Sequence, residues 1–587
     1  MATKSITQEE LIFGHPKGLF ILFFTELWER FSYYGMRALL TLHIATSATA
    51  IDPGLGWSSK DAIWLYGWYT MLVYVASIPG GWIADKYIGQ KKAVMYGGFL
   101  LCLGHGVLAI NSPIAFFSGL VLIILGVGSL KPNISTMVGG LYPQGDPRRD
   151  SGFTIFYIGI NIGAFLSSLI VGVVAYKYGW HYGFGLAGIG MLFGQAVFIY
   201  GQKYLTEVGN FLGNSKNKED SELMKKPLTK IEKDRIIVLL ISFLIVIVFW
   251  GAFEQAGGLM NLYTEAKVDR FLGLSFLEEV PAAVFQSLNA GYIIIFGTLV
   301  GAFWIWMKKR NYESSSLFKM ALGTIIMGLG FVFMMFASIE ASSTEFGKAA
   351  MYWIFLAYFF HTIGELCASP VALSFITKLS PVKYGSLMMG IYFAATGFGN
   401  KLAAGIGEAS QIEKYKGELV VQKDDVLKFI KKDSIEIKEL IGGKRQIVNK
   451  FDYPINLDKN FSIKSKIKVQ DDDIIFYNYP DETESLNNLF EIDSDSESSL
   501  KKYLRSDNSS NTFHANLFFE KDIDNSKNVV GDGNNYKLSF VVEEQQSDQE
   551  YKIFTFLTIF TVAFGFLVLI FLKKLKKLTH GAEDMSS

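Results

Sequence analysis

The chain has 587 residues, 50% hydrophobic, 15% aromatic and only 19% charged, with a mean hydropathy of +0.27, which excludes an ordinary soluble enzyme and a disordered chain and points to a membrane protein. Its 55 Lys and Arg cancel its 55 Asp and Glu, so neither a nucleic-acid binder nor a polybasic surface-bound protein is expected. That neutrality is an average: residues 410–550 hold 20 Lys and Arg against 28 Asp and Glu, a charge of −8, and the remainder carries +8.

A helix needs about 20 apolar residues to cross a hydrocarbon core of about 30 Å. Twelve such runs are predicted, near 18–46, 62–83, 92–110, 113–141, 152–176, 182–205, 235–260, 281–307, 317–338, 348–377, 384–406 and 552–573. The first is too long for a cleavable signal and contains Glu26, Glu29, Arg30 and Arg37, so the N-terminus is expected to stay in the cytoplasm. If every run spans, six basic stretches fall on that same side: Lys86, Lys91 and Lys92; Arg148 and Arg149; Lys225, Lys226, Lys230 and Lys233; Lys308, Lys309 and Arg310; Lys378 and Lys383; and Lys573 to Lys577. Their agreement puts both termini inside.

The division predicted is a six-helix bundle over 1–205, a cytoplasmic linker over 206–234, spans seven to eleven over 235–409, an acidic extracytoplasmic insert over 410–551, and span twelve with a basic tail over 552–587. Glu254 aligns with Glu29 when the sequences around the first and seventh runs are superposed, a weak internal symmetry of the kind many transporter folds show. Within the insert, strand-like runs at Phe461–Val469, Asp473–Tyr477 and Tyr536–Val542 alternate with turn-rich stretches, which predicts a small β-rich domain with loops at Ser494–Ser499 and Ser506–Asn511. Cys102 and Cys367 lie in separate apolar runs, so no disulfide scaffold and no metal site is expected.

Charge inside a membrane costs about 2.5–3.5 kcal/mol per residue on insertion scales, so its placement is informative. Glu26, Glu29, Arg30, Tyr33 and Arg37 fall within roughly 60° of one side of a helix, with Tyr34 just beyond. Such a stripe fits a water-filled cavity; the plainer alternative is an ion-pair network between helices. Lys131 lies deep in the fourth run beside Pro132, where a break in the backbone ladder is expected, and an acidic partner such as Glu29 would hold its charge; snorkelling is the alternative. Glu254 and Glu365 are further carboxylates at depth, as proton coupling requires, unless they are structural and permanently protonated. Tyr157 with Asn161, Trp250 with Glu254, and Glu365 with Ser369 stand four residues apart and share faces; Tyr74, Gln286 and Asn289 also lie within spans, where interhelical hydrogen bonding is the ordinary role of such residues.

These residues match a known pattern. Glu26-Leu-Trp-Glu29-Arg30-Phe-Ser-Tyr33-Tyr34-Gly35 resembles the E-x-x-E-R-F-x-Y-Y-G motif of the proton-dependent oligopeptide transporters of the major facilitator superfamily, and Gly80-Gly-Trp-Ile-Ala-Asp85-Lys-Tyr-Ile-Gly89 resembles the loop after their second span. Lys131-Pro-Asn133, Phe156-Tyr157-Ile-Gly-Ile-Asn161, Phe249-Trp250, Phe285-Gln286-Ser-Leu-Asn289 and Gly364-Glu365-Leu-Cys-Ala-Ser369-Pro370 fall on the spans that the family pattern requires. The resemblance implies an all-α twelve-helix fold of two six-helix bundles, and symport of di- and tripeptides with protons, driven by the proton gradient without any cofactor. It also implies that Arg37 and Lys131 bind the peptide carboxylate, that Glu365, Asn161 and Asn289 bind the amino end, and that Tyr33, Tyr34, Tyr74, Tyr157 and Trp250 line side-chain pockets, with Ser369 beside Glu365. Glu26, Glu29 and Arg30, coupled to Lys131, and also Glu254, would carry the proton linkage.

Two departures stand out: Ala290 follows Asn289 where the family usually has Pro, and the insert follows span eleven, whereas animal members place an extracellular domain between spans nine and ten. A carrier of another small zwitterion or anion, or a peptide sensor or assembly platform using the outer domain, are the competing functions. A bacterial inner membrane is the expected location, with the bilayer, peptides and protons as partners and an unknown partner, if any, for the insert.

Overall fold

The computed structural model of the protein describes residues 11–46, 52–142, 146, 148–205, 208–210, 227–274, 277–344, 347–381, 385–410 and 547–582, together with the strands between 413 and 543. Lys225, Lys226, Lys383 and the stretches 494–499 and 506–511, named above, lie outside the described residues.

A short hairpin of β1 (Leu11–Ile12) and β2 (His15–Pro16) leads into α1 (Lys17–Ala45). The second run forms α2 (Ser59–Val75), whose N-terminus Ser58 caps by accepting the Asp61 amide, then α3 (Ser77–Ile83) and one π-helical turn at Ala84–Ile88. Gly89, at φ +82°, supplies a conformation disfavoured for other residues and starts α4 (Gln90–Leu108). Then come α5 (Pro113–Gly140), α6 (Arg148–Tyr178) and α7 (Trp180–Gly201).

The second half starts with α8 (Lys230–Phe253), set by a capping box of Thr229 and Glu232. A 3-10 turn at Glu254–Ala256 and the pair Gly257–Gly258 break this run before a separate helix, α9 (Leu259–Lys267). The chain continues through β3 (Val268–Asp269), the hairpin of β4 (Phe271–Leu274) and β5 (Leu277–Glu279), a 3-10 turn at Ala282–Gln286 and α10 (Ser287–Lys309). After α11 (Ser316–Ser343), β6 (Ala349–Ala350) pairs in parallel with β3 and leads to α12 (Tyr352–Leu379) and α13 (Gly385–Ala409).

Eight strands follow: β7 (Glu413–Gln422), β8 (Ile437–Ile441), β9 (Lys444–Val448), β10 (Phe461–Gln470), β11 (Asp473–Asn478), β12 (Glu482–Ser485), β13 (Phe513–Lys521) and β14 (Asn535–Glu543). Six of them make one antiparallel sheet in the order β12-β11-β10-β13-β14-β7, so its first and last strands in sequence pair with each other. The closing helix is α14 (Ser547–Leu578).

Eight helical segments among the described residues are long and apolar enough to cross a bilayer, against the twelve runs expected. The difference has a physical cause. The α1 helix carries Glu26, Glu29, Arg30 and Arg37, α2 stops after 17 residues, α4 opens on Lys91 and Lys92, and α13 contains Lys401 and Glu408. The apolar segments of α10 and α14 are only 17% and 28% buried, leaving broad apolar faces of the sort a bilayer covers.

Close helix contacts rely on missing side chains. In the first half α1 lies against α6 and α7; a Cβ on Gly163 would stand 2.2 Å from the Leu27 carbonyl oxygen. Across the halves, α2 meets α13 where a Cβ on Gly67 would stand 2.1 Å from that of Ala404. These approaches bring the charged stripe of α1 to the surface that faces the second half.

Candidate functional site

The α1 stripe is buried as a unit: Glu26, Glu29, Arg30, Tyr33 and Arg37 are all within 9% exposure, and Tyr34 is half-buried. Arg30 Nε stands 2.9 Å from Glu26 Oε1 and 2.5 Å from Glu29 Oε2. One guanidinium therefore serves two carboxylates. The Lys131 ammonium, on α5, sits 3.9 Å from the centre of the Tyr74 ring and interacts electrostatically with Arg30, Tyr34, Glu29 and Glu26. Two acids and two bases thus share a poorly solvated space, where adding one proton to a carboxylate unbalances the set.

Glu29 acts on Lys131 electrostatically while its direct ion pair is with Arg30 on its own helix, and the Lys131 ammonium rests on an aromatic face. Pro132 does not interrupt α5. The helix runs through it, and Asn133 Nδ2 donates to the Ser129 carbonyl at 2.7 Å beside the missing amide.

The same stripe reaches across to the second half through Arg37. Its Nη1 stands 3.0 Å from Glu254 Oε1, its Nη2 donates to Gln286 Oε1 at 3.3 Å, and its guanidinium lies 4.8 Å from the centre of the Tyr34 ring. Tyr66 on α2 donates its hydroxyl to the same Glu254 oxygen. Just beyond, Thr41 donates to the Gly257 carbonyl at 3.0 Å, and Asn261 Nδ2 donates to the Ala38 carbonyl at 3.0 Å. These bonds bolt the α1 end that carries Ala45 to the break between α8 and α9. Gly257 makes the approach possible, because a Cβ there would fall 1.8 Å from the Tyr66 hydroxyl oxygen.

Glu254 and Glu29, superposed in the sequence comparison, serve different networks: one ties the halves together and the other stays within the first. A third group lies wholly in the second half. Asn289 Nδ2 donates to Glu365 Oε2 at 2.7 Å and to Thr362 Oγ1 at 3.1 Å, and Ser369 Oγ is a buried hydroxyl one turn along α12. Glu365 has Arg37 and Glu254 as electrostatic neighbours, and Tyr157, across in α6, has Glu365. Asn161 uses its amide on the Tyr157 carbonyl at 2.9 Å. Trp250 packs edge-on against Phe253 at 5.0 Å and remains half-buried.

Contacts and electrostatic neighbours gather most of the sequence-predicted residues into three groups: Glu26, Glu29, Arg30, Lys131 and Tyr74; Arg37, Tyr33, Tyr34 and Glu254; and Glu365, Asn289 and Tyr157 with Asn161 on its carbonyl. Trp250 packs on Phe253, and Ser369 lies one turn from Glu365. Cationic groups of the first half face a carboxylate of the second, with aromatic rings between, an arrangement suited to a zwitterion. Sequence reasoning missed Tyr66, Thr41, Gly257 and Asn261. Tyr66 stands eight residues before Tyr74, and that spacing on one helix was the available signal; the other three act through partners more than 200 positions away.

A separate cleft of about 660 Å³ opens between the π-helical turn after α3, the Gly140 end of α5 and the start of α6, lined by Asp85, Gln90, Thr136, Arg149 and Asn210 among others.

The sequence model of the POT family, PTR2, matches residues 91–219 and 210–417, ending inside β7. The peptide transporter YePEPT of Yersinia enterocolitica is 35% identical over 455 residues, 67% of this chain and 88% of its own length. A di-/tripeptide transporter of Lactococcus lactis is 34% identical over 445 residues, 66% of this chain and 88% of its own. Among solved structures, a variant of a peptide transporter POT in complex with alafosfalin superposes with a TM-score of 0.61 at 35% identity, covering 68% of this chain and 89% of that one.

Proposed function

The chain belongs to the POT family, and from that premise we propose that it is a symporter of di- and tripeptides with protons, working by alternating access. The observation that carries this reading is Arg37 of the first half set against Glu254 and Glu365 of the second. A peptide's carboxylate takes the cations, its ammonium takes Glu365 with Asn161 and Asn289, and Tyr33, Tyr34, Tyr74, Tyr157 and Trp250 receive its variable side chains. Pairing each end of the peptide with a different half lets bound substrate draw the halves together.

In this scheme the bilayer is crossed twelve times, six in each half. The charged or short helices α1, α2 with α3, α4 and α13 complete the eight apolar ones; the charges of α1 are buried, while Trp64 and Trp68 of α2, Phe99 and Leu103 of α4 and Phe398 of α13 are exposed apolar groups for lipid to cover. Positive-inside loops put both termini and the linker 206–234 in the cytoplasm of a bacterial cell and the strand-rich segment 410–551 outside. In this scheme the bonds of Arg37, Thr41 and Asn261 form the outer gate.

Proton coupling follows from the first group. With Glu29 ionised, Arg30 and Lys131 are balanced; protonating it weakens the hold on both cations and frees Lys131 for the peptide carboxylate. Glu254 works likewise on Arg37, since a protonated acid gives up its ion pair and releases the gate. Reconstituted protein should take up labelled dialanine, with trialanine competing and free alanine or nitrate failing to compete. Competition by nitrate alone would move the assignment to another anion carrier.

A further inference from the structure

The short helix α9 stands between two neighbours. One side is bolted to α1 through Asn261, as described. The other side meets the first turns of α14 through a ring contact. The Tyr263 ring lies edge-on to Phe554 at 5.6 Å, with both side chains at or below 1% exposure. Four residues further along α9 comes Lys267, and four residues earlier on α14 comes Glu550. Each lies one helical turn from the ring its own helix brings to the contact, and Glu550 acts electrostatically on Tyr263 as well as on Lys267. Glu550 is 3% exposed, and its electrostatic partner is Lys267. A carboxylate this deeply buried at a helix start is retained at a cost unless its partner matters.

We propose that Glu550, with Lys267, seats α9 against α14 and is a positioning residue for the outer gate. The helix α9 is joined to α8 only through the 3-10 turn and the two glycines, a jointed arm whose direction is fixed by what it packs on. With the seat made, Asn261 faces Ala38 and Thr41 and the gate closes. With the seat lost, the arm turns about Gly257 and Gly258 and those bonds to α1 part. The seat also lies at the root of the insert, since β14 ends at Glu543 and α14 begins at Ser547. The inference rests on the transport reading only in calling this end a gate.

The test is a distance measurement on the full chain in liposomes, without peptide or pH gradient. Spin labels at Lys60→Cys on α2 and Ala266→Cys on α9, in a chain with Cys102 and Cys367 replaced by Ala, report the opening. Glu550→Gln and Lys267→Gln are each expected to raise the long-distance population at least about threefold, with the Tm held within about 2 °C. The exchange Glu550→Lys with Lys267→Glu should return the parent distribution. Unchanged distances in both Gln variants would overturn the proposal, as would a shift that comes with a lowered Tm and no recovery on charge exchange. A chain that shows the shift but carries no peptide would sink the symport reading and leave the seat standing.

Discussion

At the scale of single residues, each buried acid of the site answers to a particular cation. Glu29 and Glu26 share Arg30, whereas Glu254 holds Arg37 and accepts from Tyr66. On the proposed role of Glu29 as a proton site, Glu29→Gln keeps the shape and removes the titration, so gradient-driven uptake should vanish while counterflow exchange of labelled for unlabelled peptide persists; equal loss of both would make Glu29 structural. Glu254→Gln leaves the Arg37 charge buried without its counterion, which costs about 3–5 kcal/mol. The closed gate should be depopulated, and driven uptake should fall more than about tenfold; uptake near that of the parent would contradict the assignment. The stripe on α1 was legible in the sequence, because costly side chains at 100° per residue can be placed on one side of a helix by arithmetic. Its partners were not. Nothing local to Thr41 points to Gly257, and Lys131 proved to rest on Tyr74 because an aromatic face met its ammonium first.

At the scale of elements, the break in the seventh run is where α8 gives way to α9 and where the bonds from α1 land. The break was hidden in an apolar sequence that reads as one span, since Glu254-Gln-Ala-Gly257-Gly258 lacks any proline. Its cause is tertiary: the backbone must approach the Tyr66 hydroxyl more closely than any Cβ allows. Gly257→Ala should therefore hold the gate ajar. Overpacking of this kind costs about 1–3 kcal/mol, so peptide uptake should drop at least about fivefold with membrane insertion unchanged; unaltered uptake would show that the close approach is dispensable. The other helices were legible because long apolar runs have few alternatives. The remaining helices are charged or short, and the charges of α1 are the buried ones that form the candidate site.

At the scale of the whole molecule, the net charge of zero hides a division of labour. The +8 of the main body reflects basic loops and the buried cations Arg30 and Arg37 among others, while the −8 belongs to residues 410–550, whose first and last strands pair with each other. A segment whose ends meet can be removed without pulling its neighbours apart. Replacing 413–543 by a short Gly/Ser linker, which keeps Glu550, should leave uptake within about twofold of the parent; complete loss in a correctly inserted protein would show that the insert takes part in transport.

The central claim, that downhill protons drive uphill peptide, is tested most directly in proteoliposomes holding the full chain, preloaded with the same concentration of labelled dialanine inside and out. An imposed gradient, acid on the side opposite the termini, should raise the internal concentration above the external one, and a protonophore should return it to equality. Accumulation that ignores the gradient, or none in a chain that still exchanges peptide, would contradict proton coupling.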